Sequence, residues 1–318
     1  MSGLAAKGFV LYFEQSLYPM KKPTYLIFAL ALTLAVCQPS SKKQTLNELK
    51  QSIAAAFEAN TGDYAIAFKD LSNPDNQLYI NEKETFHAAS TMKTPVMIEL
   101  FRQARAGKFS LSDSILVVNE FKSIVDSSAY TMDIGEDSGE GLYSFIGQKL
   151  TIYDLTYEMI TVSSNLATNI LIELVGAPNV MTTMKSFGAN DIQVLRGVED
   201  QKAYELGMNN TTTAKDLAIV MEMIATDKAG TPEDCAAMIK ILKDQRFNDI
   251  IPTYLPDSVS VAHKTGSITK LHHDSGIVYL PDGRKYVLVL LSKNLNTIEE
   301  GTEVLARVSE KIYSYLNQ

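Results

Sequence analysis

Apolar residues recur at helical spacing from Leu46 through Leu49 and Ile53 to Phe57 and predict a first helix over 46–57. Two short apolar runs, 64–68 and 77–80, then read as strands, separated by the turn-rich stretch Ser72-Asn73-Pro74-Asp75-Asn76. The middle of the chain changes period. Helices are predicted over 92–106, 151–161, 164–175, 178–187, 213–226 and 232–243. Segment 126–142 breaks the pattern: it is polar, acidic and glycine-bearing, and predicts a surface loop lining a cleft. Strand patterns return at 259–263, 276–280 and 285–291, the last after the turn Pro281-Asp282-Gly283, and an amphipathic helix closes the chain over 298–315. Strands at both ends with helices between them predict an α+β fold. One antiparallel sheet takes strands from both chain ends and is flanked by the terminal helices, and an all-helical lobe is inserted in the middle. The groove between two such lobes is a natural ligand site.

The N-terminus alters that picture at one end. Lys21 and Lys22 precede the apolar run 25–36, and the chain turns polar at Gln38. A charged start, a short apolar core and a polar exit describe an export signal, and the run is short for a membrane-spanning helix. Met20 stands just before the lysines, so residues 1–19 read as an unused upstream start. Leu34-Ala35-Val36-Cys37 resembles a bacterial lipobox, although Val36 stands where a small residue is usual. The expected organisation is a leader over 1–37, a tether over 38–45 and one globular domain over 46–318. The product is exported to the periplasm or cell envelope, either anchored by lipid at Cys37 or released by plain cleavage. Cys235 is the only other cysteine, so the mature domain has no internal disulfide and Cys235 reads as a small buried apolar residue. The net charge of −8, from 37 acidic against 29 basic residues, includes no basic stripe and argues against nucleic acid as a partner. A monomer is the default expectation.

Candidate chemistry begins at Ser90-Thr91-Met92-Lys93, at the opening of the helix predicted over 92–106. A serine hydroxyl is a weak nucleophile until a base takes its proton. Residues three apart on a helix share a face, which brings Lys93 within reach of Ser90. Desolvation and neighbouring cations ease the loss of the lysine's proton. Ser-x-x-Lys alone is common, and in isolation a helix N-terminal serine beside a solvated lysine is the better explanation of it. Two further motifs change the weighing: Ser163-Ser164-Asn165 at the start of an apolar helical run, and Lys264-Thr265-Gly266 at the end of the strand 259–263.

The three motifs, in this order and at wide separation, resemble the set Ser-x-x-Lys, Ser-Asp-Asn and Lys-Thr-Gly of the penicillin-recognising serine hydrolases, and most closely the class A β-lactamases. The resemblance covers residues 46–316. It implies that Ser90 is the acylated nucleophile and that Lys93 acts on its proton. It implies that Ser163 relays a proton to the leaving nitrogen and that Asn165 binds the substrate's side-chain carbonyl. Lys264, Thr265 and Ser267 would hold the substrate carboxylate, Gly266 would let the strand edge approach closely, and the backbone N–H groups of Ser90 and Ser267 would form an oxyanion hole. Each such donor is worth about 3 kcal/mol. Ser164 departs from the family's aspartate at a position thought structural. The implied substrate is a β-lactam or a peptidoglycan-derived peptide.

A β-lactamase also needs a carboxylate to activate the deacylating water. Glu199, in Arg196-Gly197-Val198-Glu199-Asp200, falls where the family keeps its omega-shaped loop, which closes at Asn210-Thr211-Thr212-Thr213-Ala214. Glu199 stands three places after Arg196 where the family has two. Ala203 replaces the family's asparagine, and Asn210 replaces the aspartate that pairs with the loop arginine. A neutral partner gives up the charge assistance of that pair. Asp200 and Glu205 are alternative bases, and without a working base the same machinery is that of a D-alanyl-D-alanine peptidase, a transpeptidase or a sensor that stays acylated. Tyr130 and Tyr143 are candidates for an aromatic wall beside the substrate. His87, His263, His272 and His273 lack metal-ligand spacing, so neither a metal nor an organic cofactor is expected.

Overall fold

The computed structural model describes residues 43–318. The expected leader and most of the expected tether lie outside the described residues. Five long strands, β1 (Asp63–Asp70), β2 (Gln77–Ile80), β9 (Ser260–Ile268), β10 (Leu271–Tyr279) and β11 (Lys285–Lys293), form one antiparallel sheet in the order β2-β1-β11-β10-β9. Strands from the two ends of the chain therefore meet at β1–β11, in register from Asp63 opposite Lys293 to Asp70 opposite Tyr286.

Both faces of this sheet are covered, which is why its strands read as nearly continuous apolar runs. On one face Ile66, Phe68, Leu288 and Leu290 pack with Leu49 and Ile53 of α1 (Leu46–Glu58) and Val308 and Ile312 of α9 (Ile298–Leu316). On the other, Ala65, Ala67, Val287, Val289 and Leu291 join the core of the helical lobe. That lobe holds α2 (Lys93–Arg105), α3 (Ile152–Thr161), α4 (Asn165–Val175), α5 (Ala177–Ser186), the short α6 (Gln201–Glu205), α7 (Ala214–Ala225) and α8 (Pro232–Lys243). Cys235 is fully buried in it. Short strands pin the loops in pairs: β3 (Phe86–His87) with β8 (Thr211–Thr212), β4 (Ser114–Leu116) with β7 (Lys149–Thr151), and β5 (Phe121–Lys122) with β6 (Ala129–Tyr130). The first pair ties the approach to Ser90 to the end of the loop that carries Glu199.

Two strand ends differ from expectation. β9 continues five residues past His263, so Lys264-Thr265-Gly266 lies inside the strand. β10 begins at Leu271, because His272, His273, Asp274 and Ser275 are buried although polar. The hairpin between them turns through Thr269 and Lys270, the latter at φ 58°, without the Asn-Gly or Asp-Gly pair that marks such turns.

Candidate active site

Ser90 lies in a single 3-10 turn, Ala89–Met92, directly ahead of α2. The chain enters that turn through Ala89 at φ 45°, a left-handed conformation unusual for alanine. The bend is held by its surroundings: Ala88 N donates to Asn210 O at 2.8 Å and Ala89 N donates to His87 Nδ1 at 3.0 Å. β9 is the outer strand of the sheet and lies against this turn. A Cβ on Gly266 would sit 3.0 Å from Ser90 N and 3.1 Å from Thr91 N. Only glycine lets the strand approach this closely. Gly266→Ala is therefore expected to push β9 off the serine by a few tenths of an ångström and to cut single-turnover acylation about tenfold or more. Stopped-flow mixing with a chromogenic cephalosporin reads this, and a wild-type rate would mean that the close approach has no catalytic use.

Across the groove, Ser163 sits at φ 61° and Ser164 caps α4, accepting from Ala167 N at 3.2 Å. The cap fixes the turn and leaves Ser163 to project toward two lysines. Lys93 Nζ donates to Ser163 O at 2.6 Å, Ser163 Oγ at 3.2 Å and Asn165 Oδ1 at 2.9 Å. Lys264 Nζ donates to Ser163 Oγ at 3.0 Å and to Thr265 O at 2.9 Å. Both lone pairs of Ser163 Oγ are thus engaged and its own proton is left to give away. Lys93, Asn165, Ser163 and Lys264 form one hydrogen-bonded chain. Ser90 Oγ stands outside it, with no hydrogen-bond partner among the described residues. Lys93, the first residue of α2, reaches across to the 163–165 turn instead of back to Ser90 in the turn before it.

Both lysines are fully buried. Burial lowers the Lys93 ammonium to about 7, against the opposing charges of Asp137 and Glu199. Lys264 is held well below the ordinary lysine range by burial and then by Lys93, with Asp274 opposing. An amine at Lys93 that loses its proton near neutrality has the property a general base needs.

The third wall comes from the 196–210 loop. Glu199, at φ 60°, accepts from Asn165 Nδ2 on Oε1 at 2.8 Å and from Asp133 N on Oε2 at 3.3 Å. Burial raises its pKa, opposed first by the hydrogen bond from Asn165. A cleft of about 330 Å³ is lined by Ser90, Asn165, Glu199 and Ser267, together with His87, Tyr204 and Asn210. The two alternative carboxylates stand differently. Asp200 is buried and its oxygens are taken by Ser123 Oγ, Ile124 N and Ala203 N, so it stitches the loop to the β5–β6 ribbon. Glu205 is exposed and accepts from Gln201 Nε2.

Several details correct the sequence reading. Asn210 does not meet the Arg196 guanidinium. Its amide closes on the loop backbone, accepting from Leu195 N and Arg196 N and donating to Arg196 O. The guanidinium turns instead to Met208 O, Gly197 O and Asn209 Oδ1. Tyr130 packs behind the loop, its hydroxyl donating to Val198 O at 3.3 Å, and Tyr143 donates to Asp137 Oδ2 at 3.2 Å; neither lines the cleft that Ser90 opens onto. Segment 126–142 contributes a residue that sequence reasoning passed over. Asp137 is buried and accepts from the backbone of Asn165 and Leu166 at the head of α4.

A sheet from both chain ends, an inserted helical lobe, and two buried lysines that share Ser163 behind a cleft lined by Ser90, Asn165 and Glu199 define a serine hydrolase of the penicillin-recognising class. The family model for the beta-lactamase enzyme family matches residues 48–316, and the chain belongs to that family. It is similar to the extended-spectrum beta-lactamase PER-1 of Pseudomonas aeruginosa, at 24% identity over 90% of this chain and 92% of that one. It is also similar to a beta-lactamase of Bacteroides uniformis, at 25% identity over 90% of this chain and 97% of that one. Among solved structures, the beta-lactamase of Sphaerobacter thermophilus superposes with a TM-score of 0.70 at 25% identity, covering 84% of this chain and 97% of that one. PBP-A shares the fold, with a TM-score of 0.73 at 24% identity over 86% of this chain and 98% of that one.

Proposed function

We propose that this protein is a serine β-lactamase of class A type, which opens the β-lactam amide through an acyl-enzyme on Ser90. The observation that carries the reading is the chain Lys93–Ser163–Lys264, joined through Asn165 to the wall of a cleft shared by Ser90 and Glu199. In this reading Ser90 Oγ attacks the lactam carbonyl and its proton passes to Lys93, or to Glu199 through water. The oxyanion is held by the N–H groups of Ser90 and Ser267. Ser163 gives its proton to the departing nitrogen, and Lys264 steadies that hydroxyl and, with Thr265 and Ser267, faces the substrate carboxylate. Asn165 binds the side-chain carbonyl. Glu199 then activates the water that releases the ring-opened product. The relatives named beta-lactamases support this substrate class.

A second reading, a D-alanyl-D-alanine peptidase or transpeptidase, is favoured by one observation. Ala203 stands buried in α6, four places after Glu199, where the family has an asparagine, so the loop that carries the proposed deacylation base departs from the class A pattern. Mixing the protein with a chromogenic cephalosporin, while following turnover and intact mass, decides between the two. Rapid turnover supports the lactamase. A stable adduct without turnover, together with D-alanine released from a pentapeptide, supports the peptidase. We also propose export with cleavage near residue 37 and a lipid on Cys37, supported by the Lys21-Lys22 start and the apolar run that follows; the mass of the envelope-extracted protein tests this.

A further inference from the structure

We propose that Asp137 is a positioning residue for acyl transfer: from the 126–142 loop it supplies the carboxylate that the Ser163-Ser164-Asn165 turn lacks at its middle position. This rests on reading the site as a lactam-opening centre. The family pattern places an aspartate at 164, and here a serine stands there.

The head of α4 must satisfy N–H groups that have no partner within the helix. Asp137 takes the first two, with Oδ1 accepting from Asn165 N at 2.9 Å and Oδ2 from Leu166 N at 2.8 Å, while Ser164 Oγ takes the N–H of Ala167. The same carboxylate accepts from Ser164 Oγ at 3.3 Å, from Tyr143 OH at 3.2 Å and from its own loop at Gly139 N, 2.8 Å. Five donors from two segments converge on one buried side chain. Asn165 is the residue whose amide bridges Lys93 to Glu199. Fixing its backbone N–H therefore fixes the bridge, and Ser163 beside it.

The site has room for one carboxylate. The loop lies so closely on the turn that a Cβ on Gly139 would come within 2.7 Å of Ser164 Oγ. An aspartate at 164 would press on Gly139 and on Asp137, placing two like charges in one buried pocket. The carboxylate that serves this turn thus comes from a different segment of the chain. Its charge also reaches Lys93, which is faced by Asp137 from the loop, Glu199 from the 196–210 segment and Lys264 from β9. Of these, Asp137 and Glu199 favour the ammonium.

Three variants test the exchange: Asp137→Ala, Ser164→Asp, and the two together. Each single change is expected to slow single-turnover acylation by a chromogenic cephalosporin about tenfold or more, and Asp137→Ala to speed amide hydrogen exchange at Asn165 and Leu166. The pair should recover acylation to within about threefold of the parent and restore the amide protection. A recovered rate in the pair cannot come from a generic loss of packing. If Asp137→Ala does not fold, Asp137→Asn keeps the shape and removes the charge. The acid limb of its acylation profile should then move to lower pH, because Lys93 loses a charge that holds its proton. A double variant no faster than either single one, or an unmoved limb in Asp137→Asn, overturns the proposal. If the parent turns over no β-lactam, it is the functional reading that fails; amide exchange in the same variants still decides the exchange.

Discussion

Ser90→Ala is expected to lower lactam turnover by roughly four to six orders of magnitude and to leave melting behaviour unchanged. Removing a hydrolase's nucleophile removes the covalent route, and the residual rate comes only from the remaining electrostatic and binding contributions. Stability is spared for a reason visible in the site. Ser90 Oγ has no hydrogen-bond partner among the described residues, so its removal orphans no donor or acceptor. The Lys93–Ser163–Lys264 chain does not run through it. The two readouts are turnover and intact mass after exposure to a penicillin. Loss of both turnover and adduct, with an unaltered melting curve, is the expected result. An adduct of the same mass in Ser90→Ala would move the nucleophile elsewhere.

The sequence carried the fold further than it carried the connections among the motif side chains. The terminal strands and helices were legible because both sheet faces are buried and the apolar runs are therefore dense, as in 285–291. The start of β10 was hidden for the opposite reason, since His272 and His273 are buried on hydrogen bonds to Thr302 Oγ1 and His87 O and hydropathy does not register such burial. Ser90, Lys93, Ser163 and Lys264 stood out as motif members. That Lys93 faces the 163–165 turn, with Ser90 left outside the chain, depends on how two loops are bent at Ala89 and Ser163, both at positive φ in residues that give no sign of it. Asp137 was passed over because an acidic, glycine-bearing stretch reads as solvated. One signal was available: Ser164, where a carboxylate is usual, raised the question of which other residue supplies it. The family resemblance pairs Arg196 with residue 210, whereas the short asparagine amide satisfies the loop backbone first.

Glu199→Gln is expected to convert turnover into accumulation of the acyl-enzyme, with deacylation slowed about 10²- to 10⁴-fold, the range of a general base. Among the loop carboxylates only Glu199 both lines the cleft with Ser90 and bonds Asn165, since Asp200 is held by three donors and Glu205 is exposed. Its pKa is raised by burial, so its basic form is lost at a higher pH than that of a solvated glutamate. A base works when deprotonated, so deacylation should fall as pH drops through that raised value. Acylation should fall through about 7 if Lys93 is the acylating base. The two steps therefore carry separate acid limbs. In Glu199→Gln the deacylation limb disappears with the rate it governs. Single-turnover acylation should persist, its limb moving somewhat lower because Lys93 loses the favourable charge of Glu199. Stopped-flow acylation and time-resolved intact mass, each from pH 5 to 9, separate the outcomes. If acylation collapses together with deacylation, Glu199 takes the Ser90 proton through water and Lys93 serves as an electrostatic partner. If the variant deacylates at the parental rate, the hydrolytic water is activated by another group, and the half-buried Glu199–Asn165 bond is only a fastening for the loop.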